Sequence, residues 1–297
     1  MVEAGEIRAA LGLAAGRAVE FEPLSQGAWR IRIGTGERSS VVARRDPDPE
    51  RAATHTWMMD RLQRAGFAGT PRLLSVSGDM TIEEDAGGLT ALQIRPPEGA
   101  LEAAIDALAA FHALDPGATR PAEELLPDDD PPLFRLGFSA AEREPALEPL
   151  RQARALLRAA AIGTAVCYAT AEHVLLARGK AWLVDFGSAG TGLQLFDVAA
   201  FLVTCGAEPA ERRRLASAYA KQRGLAPGGT ADLVDLAGIV WGISCELELP
   251  KRQILAMGDD AATEQLVLAS ARVNRAFREG ADTHPLAEEI RGALWPS

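Results

Sequence analysis

The chain has 297 residues, 47% of them hydrophobic, which suits one large domain or two lobes sharing a cleft. A net charge of −10 and a pI near 5.0 exclude a nucleic-acid backbone as the expected partner, because phosphate contacts need clustered Lys and Arg. Mean hydropathy is −0.01 and no apolar run approaches the ~20 residues of a bilayer crossing, so no membrane partner is expected either.

The first residues carry Glu3 and Glu6 ahead of a short apolar stretch. A secretory signal has a basic start and a longer apolar core, so the expectation is a cytoplasmic protein. Short alternations at Ala18–Pro23 and Trp29–Gly34 predict two strands, separated by the turn-like Ser25-Gln26-Gly27. Gly34-Thr35-Gly36 reads as a turn before a third strand, Ser40–Arg44. Asp46-Pro47-Asp48-Pro49 breaks the chain, and Glu50–Ala65 then spaces Trp57, Met58, Leu62 and Ala65 as a helix does. Two more strands, near Arg72–Val76 and Met80–Glu83, complete a five-stranded antiparallel sheet with one helix on it. Glu83-Glu84-Asp85 and Gly87-Gly88 read as the connector out of this lobe.

From Gly99 the pattern turns helical, with Leu101, Ile105, Leu108, Ala109 and His112 three and four residues apart. Asp115-Pro116-Gly117 ends that helix. The acidic loop Glu123–Pro132 follows, whose Asp128-Asp129-Asp130 reads as solvated rather than metal-binding. Glu142–Ala161 is a long helix. Val174–Leu176 and Ala181–Val184 form a hairpin across Arg178-Gly179-Lys180, and the chain after Phe196 reads as helical except for Pro227-Gly228-Gly229. Gly190-Thr191-Gly192 reads as a turn and lacks the third glycine of a dinucleotide fingerprint. Cys167, Cys205 and Cys245 match no metal-ligand spacing and read as reduced, mostly buried thiols. The division predicted is residues 1–85, a sheet lobe, and residues 86–297, a helical lobe with an inserted hairpin.

The most informative string is Leu183-Val184-Asp185-Phe186-Gly187-Ser188, followed by Phe196-Asp197-Val198-Ala199. A strand ending in Asp-Phe-Gly puts a carboxylate where a kinase-type site holds magnesium on nucleotide phosphates. With the hairpin before it and the Asp-Val-Ala helix start after it, the string resembles the Asp-Phe-Gly…Asp-Leu-Ala segment of the aminoglycoside phosphotransferase and choline kinase-like family. Phe21–Gly27 resembles that family's nucleotide-covering turn, Val41–Arg45 its strand with a phosphate-contacting base, and Leu108–Leu114 its helix with a Leu-His pair. The resemblance spans residues 18 to 220. It implies an α+β, two-lobed, protein-kinase-like fold, with ATP and magnesium as weakly held ligands. It places nucleotide contacts at Ser25, Gln26, Gly27, Arg44, Glu83 and Asp85, a metal ligand at Asp185, and a structural carboxylate at Asp197 that braces the catalytic loop.

The departures from the pattern are as informative. The family carries His-Gly-Asp, then four residues, then Asn before the Val-Leu strand; the Asp takes the substrate proton and the Asn binds the second metal. With register set by Val174-Leu175, His-Gly-Asp falls on Val166-Cys167-Tyr168 and Asn falls on His173. No acidic residue lies between Glu148 and Glu172. Tyr168 is a poor base, since a phenol titrates near pH ~10, but it can plug a vacated site. His173 suits a hydrogen-bonding loop histidine better than a magnesium ligand. Glu172 points elsewhere than its neighbour on an extended backbone. Asp185 is either a magnesium ligand or a remnant closing the strand end. Arg44 keeps the charge of the family's base with fork geometry. The helix glutamate that pairs with that base falls on His55, with Glu50 a turn and a half earlier. His112 reads as a packed, satisfied helix histidine.

Three functions follow from this pattern. A pseudokinase keeps the scaffold and binds a nucleotide, small molecule or partner protein. An atypical ATP-dependent phosphotransferase works on a small-molecule hydroxyl by positioning and electrostatics without the base. A biosynthetic enzyme uses the cleft for other chemistry. Loss of the base and second metal ligand together favours the first.

Overall fold

The structure, a computed structural model, describes residues 2–25, 27–34, 40–91, 99–121, 139–160, 162–166, 169–177, 179–245 and 284–294. Gln26, Tyr168 and the Asp128–Asp130 triplet lie outside the described residues.

The first lobe opens with helix α1 (Ala4–Ala10), followed by strands β1 (Val19–Ser25), β2 (Ala28–Ile33) and β3 (Ser40–Arg45). Helix α2 (Pro49–Arg64) and strands β4 (Leu73–Ser77) and β5 (Met80–Glu84) complete it. The strands form one antiparallel sheet in the order β1-β2-β3-β5-β4. All five expected strands are present, with ends moved by a residue or two. The additional helix α1, absent from the expectation of one helix on the sheet, lays Ile7, with Val2 just ahead of the helix, on Ile31, Ile33, Val41, Ala43, Met80 and Ile82. Arg45 of β3, on that same face, pairs with Glu6 of α1 at 2.9 Å.

Strand alternation then fixes what the other face carries. Glu22 opposes Arg30, Arg30 opposes Val42, Val42 opposes Glu83, and Arg44 opposes Thr81. This face is polar and turns toward α2. Helix α2 starts where Asp48 accepts hydrogen bonds from Glu50 N–H (2.9 Å) and Arg51 N–H (3.4 Å), with Pro49 in the first turn. Its apolar side, Met58, Met59 and Leu62, is buried with residues of the second lobe, and Leu73 of β4 packs against the same cluster.

The chain leaves the sheet through β6 (Leu89–Thr90), which pairs with β8 (Val174–Ala177), itself paired with β9 (Lys180–Leu183). Helices α3 (Ala100–Leu114), α4 (Ala140–Arg158), α5 (Gln194–Thr204), α6 (Pro209–Gln222), α7 (Pro227–Cys245) and α8 (Pro285–Leu294) form the second lobe. Its core contains Phe111, Phe186, Phe201 and Tyr219, all essentially inaccessible. No helix of the described residues is long and apolar enough to cross a membrane.

Two expectations are corrected. Gly190-Thr191-Gly192 is not a turn but part of strand β10 (Gly190–Leu193), paired antiparallel with β7 (Ile162–Ala165). Glycines are poor strand formers unless backbone must pass close to other atoms. That condition holds at Gly163, where an added Cβ would sit 2.5 Å from Gln194 Nε2. Pro227-Gly228-Gly229 is the first turn of α7 rather than a break in it. Proline suits that turn, whose leading N–H groups have no intrahelical partner.

Candidate functional site

The site lies where the polar face of the sheet meets α2 and the turn after β9. Strand β9 ends beside Gly69, whose carbonyl accepts Leu183 N–H at 2.8 Å, and the His173 carbonyl accepts Val184 N–H at 2.9 Å. Asp185 then takes a left-handed conformation (φ 63°, ψ 68°), and Phe186–Ser188 form one turn of 3₁₀ helix. Such a backbone costs a non-glycine residue on the order of 1 kcal/mol or more, so surrounding contacts must hold it.

They are cationic. Asp185 Oδ2 lies 3.3 Å from Arg44 Nη1 and 3.8 Å from His173 Nε2; Asp185 Oδ1 lies 3.8 Å from Arg51 Nη2. Burial works to raise the Asp185 pKa, but the Arg44 guanidinium above all outweighs it and, with Arg51, holds the carboxyl well below the usual range. Behind this carboxylate, Phe186 N–H donates to His55 Nδ1 at 3.1 Å. Nδ1 is therefore the acceptor, and Nε2 carries the hydrogen donated to Glu83 Oε1 at 2.8 Å. Glu83 also accepts from Thr81 Oγ1 (3.1 Å), and Arg44 Nε stands 3.8 Å away, buried and with no hydrogen-bond partner among the described residues. Burial alone would raise the Glu83 pKa; His55 and Arg44 reverse it to a net lowering.

Arg44, His173, Glu83 and Asp185 are thus brought together, and His55 joins them from the helix position where the family pattern calls for glutamate. Asp85 stands apart: it pairs with Arg30 (2.8 Å), accepts from Ser40 Oγ (2.7 Å) and caps Gly87 N–H (2.9 Å), fixing the connector to the sheet. Ser25 pairs with Ala28 in the β1–β2 hairpin. Gly27 (φ 78°) closes it so tightly on β3 that an added Cβ would lie 2.5 Å from the Arg45 carbonyl oxygen. Arg51 was missed by the sequence reading. A cation in the first turn of a helix opposes the helix dipole, and that broken rule was the available signal.

Asp197, on α5, is fully buried and accepts Val166 N–H at 2.6 Å and Ala169 N–H at 3.3 Å. Its Oδ2 also meets His112 Nε2 at 3.1 Å, while His112 Nδ1 meets Tyr219 OH at 2.8 Å. Burial pushes the Tyr219 hydroxyl up to about 12, so it remains a donor and His112 is a satisfied core histidine.

The kinase-like architecture implies ATP and magnesium. Magnesium needs oxygen ligands in octahedral array, whereas both Asp185 oxygens face guanidinium or imidazole groups. Among the described residues no group of three or more His, Cys, Asp or Glu could hold a metal. The residues present therefore do not fit a resident magnesium ion. On the polar face of β1–β3, Glu22 bridges Arg30 (3.1 Å) and Arg32 (2.9 Å), so that face is charged, whereas ligand pockets are lined mainly by apolar side chains.

The model of the phosphotransferase enzyme family matches residues 20–231. No curated protein matches the chain. Among solved structures, a choline/ethanolamine kinase family protein from Mesorhizobium loti is 19% identical with TM-score 0.68, covering 98% of each chain. An ethanolamine kinase from Plasmodium vivax is 10% identical with TM-score 0.57, over 86% of this chain and 82% of that one. A thermostable mutant of aminoglycoside phosphotransferase APH(4)-Ia, in ternary complex with ADP and hygromycin B, is 16% identical with TM-score 0.52, over 93% and 97%. At these identities the likeness is one of fold: two lobes, a five-stranded antiparallel sheet and a helical partner. Over more than half its length the sequence itself matches the family model, and the chain belongs to the phosphotransferase enzyme family.

Proposed function

We propose that this chain is a non-catalytic member of its family, a pseudokinase that keeps the scaffold and acts by binding a small molecule or partner protein. The observation that carries the reading is the Asp197 brace. Asp197 accepts Val166 N–H and Ala169 N–H, and in the sequence register set by Val174-Leu175 the family's Gly-Asp falls on Cys167-Tyr168, which bring no carboxylate. His173, which the sequence register aligns with the second metal ligand, lies 3.8 Å from Asp185 and offers nitrogen instead of oxygen. ATP, which the resemblance implies, is then held weakly and with little dependence on magnesium. The retained Arg44–Asp185 pair favours one second reading, an atypical phosphotransferase that relies on positioning alone.

Nucleotide binding with and without magnesium, followed by an ATP hydrolysis assay, separates the two. A thermal shift that grows strongly when magnesium joins ATP and vanishes in Asp185→Ala, together with turnover, would establish the second reading. The complementary experiment restores what is missing. Tyr168→Asp with His173→Asn rebuilds the family's base and second metal ligand and is expected to bind magnesium-ATP better than wild type. A base is worth ~10²–10⁴-fold, so turnover improves less reliably than binding while Arg44 and His55 still depart from the pattern. Wild-type phosphate transfer that the double variant loses would make Tyr168 part of a working site.

A further inference from the structure

We propose that Arg51 is a built-in counter-cation for Asp185, standing where a phosphotransferase holds its metal and clasping α2 to the Asp-Phe-Gly turn without magnesium. The proposal deepens the non-catalytic reading of the same site but stands on separate observations. The Arg51 guanidinium is fixed on three sides. Nε donates to Asp46 Oδ2 at 3.0 Å, Nη1 donates to Ser188 Oγ, and Nη2 faces Asp185 Oδ1 at 3.8 Å. The turn is shaped around it: a Cβ added at Gly187 would lie 3.3 Å from Arg51 Nη2 and 3.4 Å from Arg51 Cβ. In this fold the glycine of Asp-Phe-Gly gives room to an arginine.

A second guanidinium closes the clasp from outside. Arg120 donates to the Gly187 carbonyl at 3.0 Å and lies 3.7 Å from Glu50, the residue preceding Arg51 on α2. Two arginines thus join the first turn of α2 to residues 185–188, and His55 joins the second turn to Phe186 N–H. The Asp185 carboxylate has Arg51 on one oxygen, and Arg44 and His173 on the other. A divalent cation placed there would face two guanidinium groups inside a partly buried site, where repulsion is poorly screened. The contacts at 3.8 Å with a one-third-exposed Arg51 are individually weak, so the expected coupling is modest.

The test is thermal unfolding of the full chain without nucleotide, for wild type, Arg51→Met, Asp185→Asn and the double variant. Each single change is expected to lower Tm by about 2–4 °C, and the double variant by less than the sum of the two. Magnesium chloride at matched ionic strength should leave wild type unchanged, raise the Tm of Arg51→Met, and leave the double variant unchanged. Additive single effects, or a wild-type rise with magnesium that Asp185→Asn abolishes, would overturn the clasp. If Arg51→Met does not fold, the wild-type and Asp185→Asn magnesium titrations decide in the same terms. ATP hydrolysis by a wild type whose Tm ignores magnesium would remove the pseudokinase reading and leave the clasp standing.

Discussion

His55 is the residue through which three parts of the chain meet, taking a hydrogen from Phe186 N–H and giving one to Glu83 on the neighbouring sheet. Both partners are buried, and Glu83 is only 2% exposed, so water cannot readily replace the imidazole. His55→Leu is therefore expected to cost roughly 2–4 kcal/mol in urea unfolding, because it leaves the Phe186 N–H unpaired and takes from the buried Glu83 carboxylate its shortest hydrogen bond. Loss below about 0.5 kcal/mol would show that the network reorganises around the gap. Asp185 makes a different prediction at the same scale. Its folded pKa is depressed, so its contribution is complete above the unfolded value near ~3.9 and is lost as pH falls through the folded value. The Tm difference between wild type and Asp185→Asn should stay constant from neutral pH down to about pH 4 and shrink only below it. A difference that already fades between pH 7 and 5 would assign the stabilisation to a group other than this carboxylate.

At the scale of elements, α5 matters less for its length than for the carboxylate it plants under the loop before β8. Asp197 is inaccessible and serves two backbone N–H groups and a histidine, whereas the Asp185 side chain is 23% exposed and is held by ion pairs. Asp197→Ala should therefore destabilise more than Asp185→Asn, by roughly 3–5 kcal/mol against about 1, and should unprotect the Val166 and Ala169 amides in hydrogen exchange. The reverse order would exchange the two roles. The Asp-Phe-Gly and Asp-Val-Ala strings could be read in advance because chemistry constrains their residue types, and α2 because Asp48-Pro49 and a regular apolar spacing announce it. The pairing of β7 with β10 could not be read, since Gly163, Gly190 and Gly192 carry no strand preference, and the close approach of Gln194 that requires glycine at 163 comes from a distant part of the chain. The partnership of Arg44 with Glu83 was hidden for a similar reason: it depends on the register of β3 against β5, and both residues had been given to a nucleotide.

Over the whole molecule, the sheet is covered on one face by α1 and shows its charged face to α2 and Asp185, so the chemistry of the site rests on which residues α1 keeps buried. Helix α1 has only seven residues, too few to persist alone, and its place depends on Ile7 beneath it and the Glu6–Arg45 pair beside it. It is not legible in the sequence, because seven residues carry too little periodicity to mark a helix. Ile7→Ala removes a fully buried side chain from a cluster with few members and is expected to cost about 2–4 kcal/mol. Because Val41 and Ala43 lie in that cluster while Arg44 follows them on the opposite face, loosening α1 should also loosen the strand that carries Arg44. Hydrogen exchange in Ile7→Ala is therefore expected to quicken across β2, β3 and β5 while the amides of α5 and α6, in the other core, keep their protection. Uniform quickening in both lobes would instead mean that α2, whose Met58, Met59 and Leu62 belong to the second core, couples the two lobes into one cooperative unit.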